Sequence, residues 1–148
     1  METAPDPYNL QRFVNAQEST FDVARAELIS GQKRSHWMWF IFPQIKGLGS
    51  SPTAQRFAIS SLNEGAAYME HPILGRRLDE CTVIVNGLDR SVQDLFGYPD
   101  DLKFHSSMTL FAKVAEECGF EEPVFREALT KHFANRLDEG TLRQMRSA

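Results

Sequence analysis

The chain has 148 residues, 42% apolar and 24% charged, with a net charge of −4 at neutral pH. That is the size and composition of one globular domain able to bury a core without disulfide or metal staples. The acidic balance argues against nucleic-acid binding, which needs an excess of basic charge. The longest apolar run falls far short of the ~20 residues of a membrane-spanning helix, which argues against a membrane partner.

Residues 1–6 read as a flexible tail ahead of a single domain over 7–146. No basic segment followed by an apolar run opens the chain, so no secretory signal is read and a cytoplasmic location is expected. Leu10, Phe13 and Val14 have helical spacing. A second helix starts at Ser19 or Thr20, buries Phe21, Ala24 and Leu28, and stops at Gly31, which can adopt the left-handed conformation. An unbroken apolar run then covers 37–42 and holds both tryptophans, Trp37 and Trp39. So short a run does not separate helix from strand by periodicity. Pro43 bounds it, and no other segment alternates like a strand. The run is therefore read as one or two helical turns buried on all sides.

The segment from Gly47 to Pro52 is a loop, with Ser51 as an N-cap and Pro52 as the first residue of a helix over 53–59. Ser61 and Glu64 have the spacing of a capping box for a helix reaching His71. Pro72 opens the next helix, with Ile73, Leu74, Leu78, Cys81 and Val85 on one face. Ser91 caps a one-turn helix closed by Gly97. A long helix from Asp100 or Asp101 to about 118 carries the stripe Phe104, Met108, Phe111 and Ala115. Pro123 starts another, with Phe125, Leu129 and Phe133 inward, and Gly140 and Thr141 permit one last short helix. The fold class expected is all-α: a single compact domain of about eight short helices in irregular packing. Cys81 and Cys118 lack metal-ligand spacing and read as buried free thiols.

Charge is unevenly spread. From Leu28 to Asn63 there is no Asp or Glu, while Lys33, Arg34, Lys46 and Arg56 fall inside, making the window +4 and the remainder −8. Such a window marks where an anionic ligand or an acidic partner approaches, or is a chance cluster of solvated side chains. The tryptophan run is either plain core or the wall of a pocket where an indole stacks on a planar ligand. In both cases a buried indole N–H needs a polar partner.

No two of the four histidines have the i, i+4 spacing of a helical metal pair, so neither a metal nor any other cofactor is expected. His36, beside Arg34, is the candidate general acid–base. The Gly47-x-Gly49-Ser50-Ser51 loop, which leads into a helix start, offers amides to a phosphate or is an ordinary capping loop. Lys103, Ser106 and Ser107 share a helical stripe next to the apolar one. They face a ligand, or the serines satisfy themselves on carbonyls four residues back. No hydrolase triad or nucleophile elbow is present.

The stretch from Lys33 through His36-Trp37-Met38-Trp39-Phe40, Phe42-Pro43-Gln44 and Leu48-Gly49 to Ser51, with Asp101, Lys103 and Ser106-Ser107-Met108-Thr109-Leu110-Phe111, resembles the bacterial family catalogued as domain of unknown function eighteen-ten. The resemblance spans 6–145 and implies an all-α fold of the kind seen in a mycobacterial hypothetical protein, with no established activity. Some members carry the label calpastatin. Calpastatin inhibitor segments are disordered, whereas this chain reads as capped amphipathic helices, so the label is given no weight. The aromatic-rich early segment, the later lysine-bearing helix and the stretch from Phe125 to Phe133 bear a fainter likeness to helical NADAR-type N-glycosidases, which act on ADP-ribose-related compounds.

Two functions follow as expectations. The first is a domain binding a small anionic, nucleotide-like ligand where 33–51 meets the helix bearing 103–107. Trp37 or Trp39 would stack, Lys33, Arg34 and Lys103 would hold charge, Gln44 would orient the ligand, and Gly49, Ser50 and Ser51 would take a phosphate beside Ser106 and Ser107. His36 would be catalytic if there is chemistry. The second is a non-catalytic interaction or structural domain whose basic window docks an acidic protein partner.

Overall fold

The computed structural model describes residues 5–148; most of the expected tail, residues 1–4, lies outside the described residues. Ten helices follow one another among them: α1 (Gln11–Glu18), α2 (Phe21–Ser30), α3 (Met38–Ile41), α4 (Pro52–Arg56), α5 (Leu62–Glu70), α6 (Leu74–Gly87), α7 (Val92–Phe96), α8 (Asp100–Cys118), α9 (Val124–Phe133) and α10 (Glu139–Ser147). The chain is all-α, with no strand among the described residues and one isolated parallel bridge between Ile45 and Ile59.

Helix starts follow the capping chemistry. The hydroxyls of Ser51, Ser61 and Ser91 accept from the amides of Ala54, Glu64 and Asp94 at 3.1, 3.2 and 3.0 Å, each satisfying an orphan donor of a first turn. Asp6, expected in the tail, instead belongs to the helix start: its carboxylate accepts from the amides of Leu10 (2.7 Å) and Gln11 (2.9 Å).

The capping box at Ser61 closes on only one side. Glu64 accepts from the amide and hydroxyl of Ser60 (2.9 and 2.7 Å) and pairs with Arg12 at 2.8 Å. Arg12 also donates to the carbonyls of Arg56 and Ala58, so one ion pair ties α1 to the segment leaving α4. That segment ends its helix at Arg56 rather than near 59, because Ile59 turns its backbone to 44–46. Its amide donates to Gln44 (2.9 Å), and its carbonyl accepts from Lys46 (2.8 Å).

α8 is the axle. Phe104, Met108, Phe111 and Ala115 are buried along it, as the stripe predicts, and so are Ser107, Thr109 and Leu110. α5 lies against it through Gly65, where a Cβ would come within 2.7 Å of a Val114 methyl. At the other end Phe42, Phe96 and Phe104 interlock at centroid distances of 4.9–5.9 Å, an edge-and-face arrangement aromatic rings favour. α3 is only one turn long. Met38 and Ile41 point into the core, but Trp39 and Phe40 are half-buried. The expectation of burial on all sides is corrected here: residues 100° apart on a helix do not share a face. Cys81 is buried, whereas Cys118 is exposed where α8 runs into solvent before Gly119; the expectation for Cys118 is corrected accordingly.

Candidate functional site

The two tryptophans part company. Trp37 is fully buried, and its indole N–H donates to Glu27 Oε1 at 2.9 Å. The same carboxylate accepts from the amides of Arg34 (2.7 Å) and Ser35 (2.9 Å) and from the Ser35 hydroxyl (2.6 Å). Burial opposes ionisation of Glu27, but these four donors prevail and lower its pKa to about 2. Glu27 stands one residue before the acid-free window and clamps the loop at its entrance.

Trp39 faces the other way. It lines two adjoining cavities, of about 460 and about 540 Å³, and Gln44, Gly49 and Ala54 line both as well. The smaller lies between 48–51, the start of α8 and the start of α10, and Lys103, Ser106 and Asp138 contribute to its wall. The larger adds Arg12, Lys46, Arg56 and Glu64. Lys46 and Arg56 have no ion-pair partner among the described residues, while Arg12 is paired with Glu64.

A chain of charge contacts joins the two tryptophans. Lys33 Nζ lies 5.0 Å from the Trp37 ring centroid and 2.7 Å from Asp100 Oδ2. Asp100 Oδ1 in turn meets Lys103 Nζ at 3.3 Å, and that ammonium lies 4.7 Å from the Trp39 ring. A cation this close to an aromatic face is attracted by the ring quadrupole. Opposite, the Ser106 hydroxyl lies 3.0 Å from Asp138 Oδ2 and 3.1 Å from the Leu102 carbonyl and shares its one proton between these two acceptors. Asp138 caps α10 by accepting from the Thr141 amide (3.1 Å), and its own amide donates to Thr109 Oγ1 at 2.9 Å.

Of the residues singled out in the sequence, Trp39, Gln44, Gly49, Ser50, Ser51, Lys103 and Ser106 meet around the smaller cavity. Lys33, Arg34, His36, Trp37 and Ser107 are not in its lining. Lys33 is held by Asp100 and the Ser35 carbonyl. His36 is exposed and lines neither cavity. Ser107 is buried, with no hydrogen-bond partner among the described residues. The Ser51 hydroxyl is occupied by its cap, and α4 has only five residues, so its dipole adds little there. Asp138 was missed. The only sequence signal for it is an Asp placed to cap the last helix, and its meeting with Ser106 depends on the tertiary fold.

Among the described residues no group of three or more His, Cys, Asp or Glu is placed to hold a metal ion, and no helix is long and apolar enough to cross a membrane. A small all-α domain with a two-lobed cleft beside a half-exposed tryptophan is the class these features define. The chain belongs to the family described as Protein of unknown function (DUF1810), which it matches over residues 7–145. It is similar to the crystal structure of the conserved hypothetical protein Rv1873 from Mycobacterium tuberculosis. Identity is 47%, the TM-score is 0.90, and the match covers 95% of this chain and 99% of that one. No curated protein matches the chain.

Proposed function

We propose that the chain is a binding domain for a small anionic, nucleotide-like ligand seated in the cleft on Trp39. The observation that carries this reading is the Trp39–Lys103 pair, 4.7 Å apart on a cavity wall. A half-exposed indole offers a planar group a stacking face, and the ammonium beside it suits negative charge. Lys46 and Arg56, free of ion pairs among the described residues, add positive charge in the adjoining lobe. Each lobe falls in the ~300–1,000 Å³ range usual for small-molecule sites. The reading is binding, without a chemical step: His36, the one acid–base candidate, lines neither lobe, so the N-glycosidase likeness gains no support.

Calorimetric titration with ADP-ribose, adenine nucleotides and sugar phosphates tests it. A dissociation constant below about 1 mM, or better than about −4 kcal/mol, supports the reading if Lys103→Met weakens it about tenfold or more. Absence of binding by every probe contradicts it.

The second reading, a protein-interaction domain, draws on an exposed apolar pair at the start of α8. Tyr98 and Leu102 are large apolar side chains exposed by 84% and 51% on either side of Pro99. Under that reading, Tyr98→Ser and Leu102→Ser abolish capture of a protein partner, and nucleotide titrations stay silent.

A further inference from the structure

A third cavity, of about 520 Å³, lies where the start of α7, the first turn of α8 and the end of α9 meet. Leu102 lines both this cavity and the smaller lobe of the Trp39 cleft, but none of the other residues is shared. Its walls include Asp101, His132, Lys131, Val92 and Phe133.

Two of its polar groups are unusual. Asp101 is 6% exposed, and its Oδ1 has no hydrogen-bond partner among the described residues. The His132 Nε2 is likewise buried and unpartnered. Buried polar atoms are nearly always paired, and a buried carboxylate without a donor is costly. The α8 N-terminus offsets part of the Asp101 charge, but it gives Oδ1 no donor.

The cations in the wall do not supply one. Lys131 Nζ donates to the carbonyls of Asn86 and Leu88, and Arg90 Nη2 donates to the Asp94 carbonyl. Neither pairs with Asp101. Burial, with Lys131 alongside, lowers the His132 pKa and favours the neutral ring. The carbonyl end of α9 also faces this corner of the fold and favours positive charge. The wall thus holds an unpaired, nearly buried carboxylate, a neutral imidazole and apolar side chains, while its own cations donate to backbone carbonyls instead.

We propose that this cavity is a second binding site, separate from the Trp39 cleft, for a small organic cation: a protonated amine or a guanidinium on a short apolar body. Its N–H groups donate to the unpaired Asp101 carboxylate where that residue borders the cavity, and its body packs on Val92, Leu102 and Phe133. Asp101 is the anchor. His132 is the neighbouring polar contact.

The test uses the full chain with agmatine, putrescine and methylguanidinium as probes, followed by thermal shift and calorimetry. At least one probe is expected to raise Tm and to bind saturably at about 1 mM or better. Asp101→Asn is expected to weaken binding about tenfold or more while keeping or raising the Tm of the unliganded protein, because it removes an unpaired buried charge. Trp39→Ala leaves cation binding unchanged, which separates this site from the cleft. No saturable response to any probe, or undiminished binding in Asp101→Asn, overturns the proposal. Should Asp101→Asn fail to fold, the His132 ring resonances of the wild-type chain decide: a saturable shift with the cation supports the site, and an unmoved ring overturns it.

Discussion

Lys33 and Lys103 grip opposite oxygens of one carboxylate, Asp100, at 2.7 and 3.3 Å. Lys33 belongs to the core side of the contact: its side chain is 7% exposed and lies over buried Trp37. Lys103 belongs to the cleft side, over Trp39. Asp100→Asn therefore has two effects of opposite sign. It strips a nearly buried lysine of its counter-charge and is expected to cost about 2 kcal/mol of stability. It also frees the Lys103 ammonium from a competing anion and is expected to tighten anionic-ligand binding by about 2–5-fold. Denaturant unfolding and calorimetry on the same variant check both.

Glu27 ties down the loop that carries the basic residues. Replacing it with alanine leaves two amides, a hydroxyl and the Trp37 indole without their shared acceptor. The expected loss is about 1–3 kcal/mol after allowance for partial exposure, with a red-shifted Trp37 emission. The pH dependence follows from its pKa of about 2 against an ordinary 4.5. A depressed carboxyl gives stability that is complete above about 4.5 and lost as pH falls towards about 2. Glu27→Gln flattens the unfolding free energy across that window.

Glu122 has the opposite sign. Burial, then the hydrogen bond and charge of Asp79, raise its pKa from 4.5 to about 7. The stability linked to its protonated form is present below about 4.5 and is lost as pH rises through about 7. Glu122→Gln is expected to be more stable than the wild type at pH 8 by less than about 1 kcal/mol, solvent at this half-buried position screening part of the repulsion. At pH 4 the two should unfold at the same denaturant concentration.

The two thiols should differ in reactivity. Burial, with a contribution from Glu80, pushes Cys81 up to about 12, so its thiolate is scarce at neutral pH. Cys118 is exposed. A disulfide reagent is expected to modify one thiol per folded chain quickly and the second only on unfolding. Cys118→Ser removes the fast phase.

Much of the architecture was legible because it is written in local chemistry. The serine caps at 51, 61 and 91, the α8 stripe and the glycine stops at 31 and 97 depend on neighbours within a turn. The cleft was legible in part. The sequence pointed to the meeting of 33–51 with the helix bearing 103–107, and Trp39, Gln44 and Lys103 do share a wall there. What the sequence hid was pairing across distance. One charge of the acid-free window is met from outside it, Lys33 by Asp100, and the 34–37 loop is held from outside by Glu27 through two amides, a hydroxyl and an indole. The donor-seeking indole of Trp37 found its partner one residue before the window opened. Periodicity did not divide the two tryptophans either, since a four-residue helix has too few turns to show a face. Asp138 joined the site from 32 residues beyond Ser106 through a helix cap.

On the proposed function, Trp39 and not Trp37 is the ligand-facing tryptophan of the anion-binding cleft. Fluorescence titration of the wild type, Trp37→Phe and Trp39→Phe with ADP-ribose measures this most directly. Saturable quenching below about 1 mM is expected to persist in Trp37→Phe and to vanish from the signal of Trp39→Phe, with calorimetry showing weaker binding in the latter. Quenching carried by Trp37, or no saturable change in the wild type, would contradict it.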